Sequence, residues 1–363
     1  MPTTHHRVRH RARFQLLGLV ALTLAAACDS SDKLSPSSET PVATTPSTGD
    51  SAASVPSDSS ATPIDSTSIV SDSTAVLDST GAPVATSFAT GTQPGIVFGS
   101  YGMTATDLNS IHTGILNGGG ITETNVGSLL AAIKAKGGRL VLKMCMGDDK
   151  YVKNPDGTFS LTKWKSLVDR FKQANLGPYI SDGTLIGHFL IDEPQRTAKW
   201  GGKIISQATI EAMAQYSKTI WPTLPTFVRV VPSWLASAPV TYRALDAGWL
   251  QYGYGKGDPG QMVASETAIA KNKGLGLLIG LNILDGGNGS SGVHGWSKNK
   301  WTMSASEIKN YGTALLNNSY ACGFYNWTYQ YFGPTYYARS DVKSAMTTLS
   351  GMARNHARTS CRQ

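Results

Sequence analysis

The chain has 363 residues, room for two or three domains by length alone, although a single α/β barrel takes roughly 250. Its net charge of +8 is unevenly spread: four arginines and no acid precede residue 28, eight acids against one lysine follow in 28–92, and the remainder is near +11. The bases of that remainder are scattered, with no arginine-rich run and no stripe of interleaved bases and aromatics, so nucleic acid is excluded as the expected partner in favour of a solvated basic surface.

Arg7, Arg9, Arg11 and Arg13 precede an apolar run over 14–27, the pattern of a cleaved export signal and too short for a mature membrane span. The run ends Leu24-Ala25-Ala26-Ala27-Cys28, which resembles the lipobox of bacterial lipoproteins, with the usual leucine one place early. That resemblance implies a lipidated Cys28 that holds the protein at the bacterial envelope, outside the cytoplasm; plain secretion is the alternative. Residues 28–92 are Ser, Thr, Pro, Ala and Asp with almost no aromatics, and Asp-Ser-Thr recurs at Asp65, Asp72 and Asp78. Such a stretch buries too little apolar surface to offset its chain entropy, so a disordered tether is expected there and a folded domain over 93–363.

Within 93–363 short apolar runs alternate with amphipathic helical stretches. The runs are 96–101, 111–116 (the weakest), 139–146, 184–191, 226–231, 249–252, 275–284 and 322–327. Helices are expected over 125–135, 161–174, 206–220, 262–272 and 305–316. Eight strand and helix units predict an α/β (β/α)8 TIM barrel, with an open doubly wound sheet as the alternative. Gly255-Lys256-Gly257-Asp258-Pro259-Gly260 matches a dinucleotide-binding spacing, but it follows the sixth strand and has Pro259 where the helix should start, so no cofactor is expected. No Gly-x-Ser-x-Gly occurs. His112 and His294 lack partners at metal-ligand spacing, so no metal site is expected, and His188 reads as a core residue. Export would allow a Cys322–Cys361 disulfide, with Cys145 left in a strand.

Barrel sites form at the carboxyl ends of the strands. Here those ends read Ser100-Tyr101, Gly147-Asp148-Asp149, Asp192-Glu193-Pro194, Pro232-Ser233-Trp234, Tyr252-Gly253-Tyr254, Asn282 to Gly287, and Asn326 to Tyr329. Rings offer apolar platforms to sugar C–H faces, and acids and amides hydrogen-bond hydroxyls, so a carbohydrate is the expected partner. Glu193 is the expected general acid, at a strand mouth where partial desolvation raises a carboxyl pKa. Asp285 is the second carboxylate. Asp192, Asp148, Trp234, Tyr252, Asn282, Trp327 and Tyr329 are the expected substrate contacts.

The strand-four Asp192-Glu193-Pro194 resembles the Asn-Glu-Pro of clan-A glycoside hydrolases, whose Glu is the acid/base, and Trp327 is similar to the sugar-stacking Trp of that clan. The clan places a Glu at the end of strand seven, where this chain has Asn282 and then Asp285-Gly286-Gly287. The resemblance implies glycoside hydrolysis by paired carboxylates; the alternative is a surface glycan-binding lipoprotein without catalysis. Structural readings stand beside these: Asp192-Glu193 as a helix cap, Asp285-Gly286 as a turn, Asp148-Asp149 as a solvated loop, and Trp327 and Tyr329 as rim packing.

Overall fold

The computed structural model describes residues 95–329, 333–356 and 361. The export signal, Cys28 and the tether therefore lie outside the described residues. Eight parallel strands close in chain order: β1 (Phe98–Tyr101), β2 (Gly114–Leu116), β3 (Arg139–Lys143), β4 (Leu185–Asp192), β5 (Thr226–Arg229), β6 (Ala247–Tyr252), β7 (Gly276–Leu281) and β8 (Ala321–Asn326). Between and after them run α1 (Val126–Ala135), α2 (Leu161–Asp169), α3 (Gly177–Ser181), α4 (Gln207–Ile220), α5 (Pro232–Ala236), α6 (Pro259–Asn272), α7 (Ala305–Leu316), α8 (Gly333–Ala338) and α9 (Ser340–Arg354). The fold is a (β/α)8 barrel.

Local chemistry sets the longer helices. Ser206, Asp258 and Ser304 cap α4, α6 and α7 by accepting from the backbone N–H of Thr209, Gln261 and Glu307, and Glu307 returns the bond to Ser304 as a capping box. The stretch expected as one helix over 161–174 ends at Asp169 and tightens into a 3₁₀ turn. A helix not expected from the sequence, α9, presents Val342, Ala345, Met346, Leu349 and Ala353 at helical spacing and buries them. Leu349 reaches the surface of α7 where Gly312 leaves room; a Cβ there would lie 2.4 Å from it.

Two apolar layers result. The outer one packs the helices on the barrel, and the inner one fills the lumen with Val97, Leu116, Val141, Phe189, Phe227, Trp249, Leu278 and Tyr325. At the floor Cys361 bonds to Cys322, 39 residues away. Gly276 is needed beside it, because a Cβ would sit 1.6 Å from the Cys361 carbonyl oxygen. By chain entropy such a cross-link contributes about 4 kcal/mol. Cys145 is free and buried.

His188 is fully buried between layers, with Nδ1 2.8 Å from Ser217 Oγ and its ring stacked on Trp164. His112 is buried among Phe98, Tyr329 and Tyr337, and among the described residues neither ring nitrogen has a hydrogen-bond partner. Burial pushes these imidazoles down, His112 to about 4 and His188 to about 3. The fold holds neutral rings while the unfolded chain takes up protons below about 6.5, so stability is full above that pH and is lost as pH falls toward 4 and 3. His112→Phe keeps the ring contacts and removes one titration. Urea midpoints at pH 7 and pH 4.5 should show it at least as stable at pH 7, with a drop on acidification smaller than wild type by on the order of 3 kcal/mol. An equal drop in both proteins would refute this account.

Candidate active site at the barrel mouth

Strand pleating carries a second layer of side chains above the lumen. Residues two positions on from a lumen residue share its face, which puts Lys143 above Val141, Arg229 above Phe227, Gln251 above Trp249 and Trp327 above Tyr325. In β4 the pairing register shifts between Phe189 and Ile191, an extra residue that leaves Leu190 and Ile191 in the outer layer and brings Asp192 into phase with Phe189. The freed Leu190 carbonyl accepts from the Trp164 indole at 2.9 Å.

Asp192 is the hub of this layer. It accepts from Arg229 Nε, and from Lys199 Nζ at 2.8 Å. Lys199 also reaches Asp149 at 2.8 Å and lies 4.0 Å from Glu193, while Lys143 is 3.9 Å from the other Asp149 oxygen. Glu193 is held on both oxygens, Oε1 at 3.0 Å from Arg229 and Oε2 at 2.7 Å from Arg196. Burial alone would push the Asp192 carboxyl up, but the Arg229 and Lys199 charges and hydrogen bonds outweigh it and hold it below the usual carboxylate range. The same balance runs the other way for Lys143, Lys199 and Arg229, where burial opposes the charge and neighbouring groups raise it.

The backbone of Glu193 is left-handed, with φ of 47°, a conformation that costs a non-glycine residue on the order of 1 kcal/mol or more. Its carbonyl accepts from the Trp200 indole at 2.9 Å, and its side chain remains 22% exposed. Ser206, not the Asp-Glu pair, caps the helix that follows β4. The side chain is therefore free of a capping role.

Other expected residues are spread around this hub. Asp148 turns away as the cap of a short 3₁₀ turn, accepting from Lys150, and the neighbouring Asp149 reaches the cluster instead. Both Asp285 oxygens accept from Ser297, from its N–H at 3.0 Å and its hydroxyl at 2.7 Å, within the loop after β7; Asn282 Oδ1 accepts from the Asp285 N–H. Among the described residues no ion pair or hydrogen bond joins Asp285 to Glu193. Tyr252 is buried, donating to the Gly257 carbonyl and meeting Tyr311 edge-on, and Tyr329 packs on Tyr337. Trp234 is half-buried on α5. Trp327 is stacked on Tyr101 at 4.4 Å, with the Arg229 guanidinium 4.2 Å from its ring.

Absent from the sequence reading are the cations Lys143, Arg196, Lys199 and Arg229. A charged residue closing an apolar strand, as in Phe227-Val228-Arg229, was the available signal. Four large apolar side chains are more than a third exposed: Tyr151, Ile204 and Trp296, which the sequence reading missed, and Tyr254, which it placed at a strand end but not among the expected contacts. All four lie on loops that leave the carboxyl ends of strands, around the same mouth. Among the described residues no group of three or more His, Cys, Asp or Glu gathers at metal-binding distance.

The sequence matches no protein-family model and no curated protein. Solved structures do resemble it, and they include glycoside hydrolase barrels. A β-glucanase from Saccharophagus degradans in complex with cellotetraose is 10% identical over 72% of this chain and 88% of that one, with a TM-score of 0.50. The likeness is one of fold. A GH128 endo-β-1,3-glucanase from Amycolatopsis mediterranei is 14% identical over 71% and 100%, with a TM-score of 0.42. An FMN-binding β-glucuronidase from Facaelibacterium prausnitzii is 13% identical over 66% of this chain, which spans 38% of its length, with a TM-score of 0.43.

Proposed function

We propose that the barrel acts on carbohydrate as a glycoside hydrolase, with Glu193 as its reactive carboxyl. The observation that carries the reading is the setting of Glu193: a residue held in left-handed backbone at the end of β4, partly exposed, in a mouth ringed by Tyr151, Tyr254 and Trp296. Backbone strain at a partly exposed acid on a strand end and, among the described residues, exposed apolar rings gathered at the same face both favour a ligand site over packing. Asp285 is the proposed second carboxylate, which requires it to exchange its Ser297 bonds for a water or a sugar. Asp192, Trp327 and Asn282 are proposed to line the site.

A second reading is favoured by one observation: every carboxylate here is engaged, Glu193 by two guanidinium groups and Asp285 by Ser297. That suits a glycan-binding barrel without turnover. Incubation with a panel of polysaccharides, followed by reducing-end detection and gel retardation, separates the two. Released ends support hydrolysis, retardation without release supports binding, and neither overturns the carbohydrate reading.

Residues 1–28 support an anchored location, with four arginines, an apolar run and Cys28 in order. Two acyl chains would hold the protein through burial of CH₂ groups, about 0.8 kcal/mol each. Labelled palmitate should enter the wild-type protein in a bacterial host and not the Cys28→Ala variant; no label in either overturns the anchor.

A further inference from the structure

Among the described residues, the mouth holds a buried amide donor with no acceptor and an ammonium with no carboxylate at ion-pair distance. Arg229 Nη1 donates to Gln251 Oε1 at 2.8 Å. A guanidinium only donates, so this bond fixes the amide orientation and turns Nε2 away from Arg229. Among the described residues that buried Nε2 meets no acceptor, at a cost on the order of 1–3 kcal/mol for an unbonded polar group. At the main chain of the same residue, Lys256 Nζ donates to the Gln251 carbonyl oxygen at 2.7 Å and, among the described residues, has no carboxylate at ion-pair distance. Lys256 thus adds a fifth cation to Lys143, Arg196, Lys199 and Arg229, which face the acids Asp149, Asp192 and Glu193, while Glu193 and Glu266 act on its own charge only from beyond ion-pair distance. Lys256 is exposed on its loop, yet partial desolvation of its ammonium and repulsion from Arg229 hold its pKa below the usual lysine range. Tyr254, two residues before Lys256, offers an exposed ring on the same loop.

We propose that the Gln251 amide and the Lys256 ammonium form a subsite for the anionic group, a carboxylate or a sulfate ester, of an acidic sugar unit seated against Tyr254. An oxyanion supplies the acceptor that Gln251 Nε2 lacks and an ion-pair partner for Lys256. This rests on the carbohydrate reading above and narrows its substrate to acidic glycans.

The test is calorimetric binding to the full chain of uronate trimers (galacturonate, glucuronate, mannuronate), their carboxyl-reduced counterparts, a sulfated trisaccharide and inorganic sulfate. The expected result is at least tenfold tighter binding of an acidic trimer than of its neutral counterpart, a preference that weakens with salt. Lys256→Gln, at an exposed loop position, should remove most of that preference and leave neutral affinity unchanged. The uronate and sulfated arms decide which anion is preferred. Equal binding of acidic and neutral trimers, or a preference untouched in Lys256→Gln, overturns the subsite while leaving the carbohydrate reading standing. Sulfate bound through Lys256 with no trimer bound supports the anion site and overturns the carbohydrate reading. Binding of no probe overturns both.

Discussion

Glu193→Gln is expected to lower turnover on any glycan the protein cleaves by about 10²–10⁴-fold, the usual contribution of a positioned proton-transfer group. The amide retains an oxygen to accept from one of its two guanidinium partners, and the side chain is partly exposed, so the fold should survive. Thermal unfolding within a few degrees of wild type is the control. A loss carried by kcat with KM little changed identifies a group engaged in the transition state; a loss carried by KM alone identifies a binding contact. Unchanged turnover removes Glu193 from the chemistry.

Arg229→Met is expected to be the most damaging substitution at the mouth for stability, at about 3–5 kcal/mol. Arg229 holds Asp192 and Glu193 while its own side chain is 8% exposed, so its removal strands negative charge in a poorly solvated place. Asp192→Asn in the same chain should recover part of the loss, because the stranded charge goes with it. The pH dependence follows from the depressed Asp192 carboxyl. In wild type its contribution is present above the unfolded value near 4 and declines as pH falls below that. The gap between wild type and Arg229→Met should therefore be full at pH 7 and shrink below about pH 4. Urea unfolding of the single and double variants checks this, and a loss under 1 kcal/mol at pH 7 would show that the ion pairs do not hold the barrel top together.

Much of the barrel was legible because each strand is a short apolar run bounded by turns, and because α4, α6 and α7 carry caps and amphipathic spacing in the sequence itself. The helix α9 was equally legible, with Val342, Met346, Leu349 and Ala353 on one stripe, but no strand follows it to mark it as a repeat unit. The site was harder to read. Asp148 and Asp149 are adjacent acids, and only the 3₁₀ turn decides that the first caps and the second points to Lys199. Tyr252 and Tyr329 sit at strand ends as sugar platforms would, yet their rings turn inward because Gly257 and Tyr337 offer them partners. The register shift in β4 reverses which residues face the lumen, and no local pattern announces it. Arg196 and Lys199 come from the loop after β4, Arg229 from the end of β5 and Asp149 from the turn after β3, so the ion-paired cluster exists only once the strands are side by side.

Among the described residues, the large exposed apolar side chains Tyr151, Ile204, Tyr254 and Trp296 gather at a single end of the barrel, which bears on how barrels meet in concentrated solution. Apolar contact through that end pairs one barrel with one other, so self-association through it would stop at head-to-head pairs instead of growing into chains. A saturating ligand would compete for the same end and keep the barrels apart.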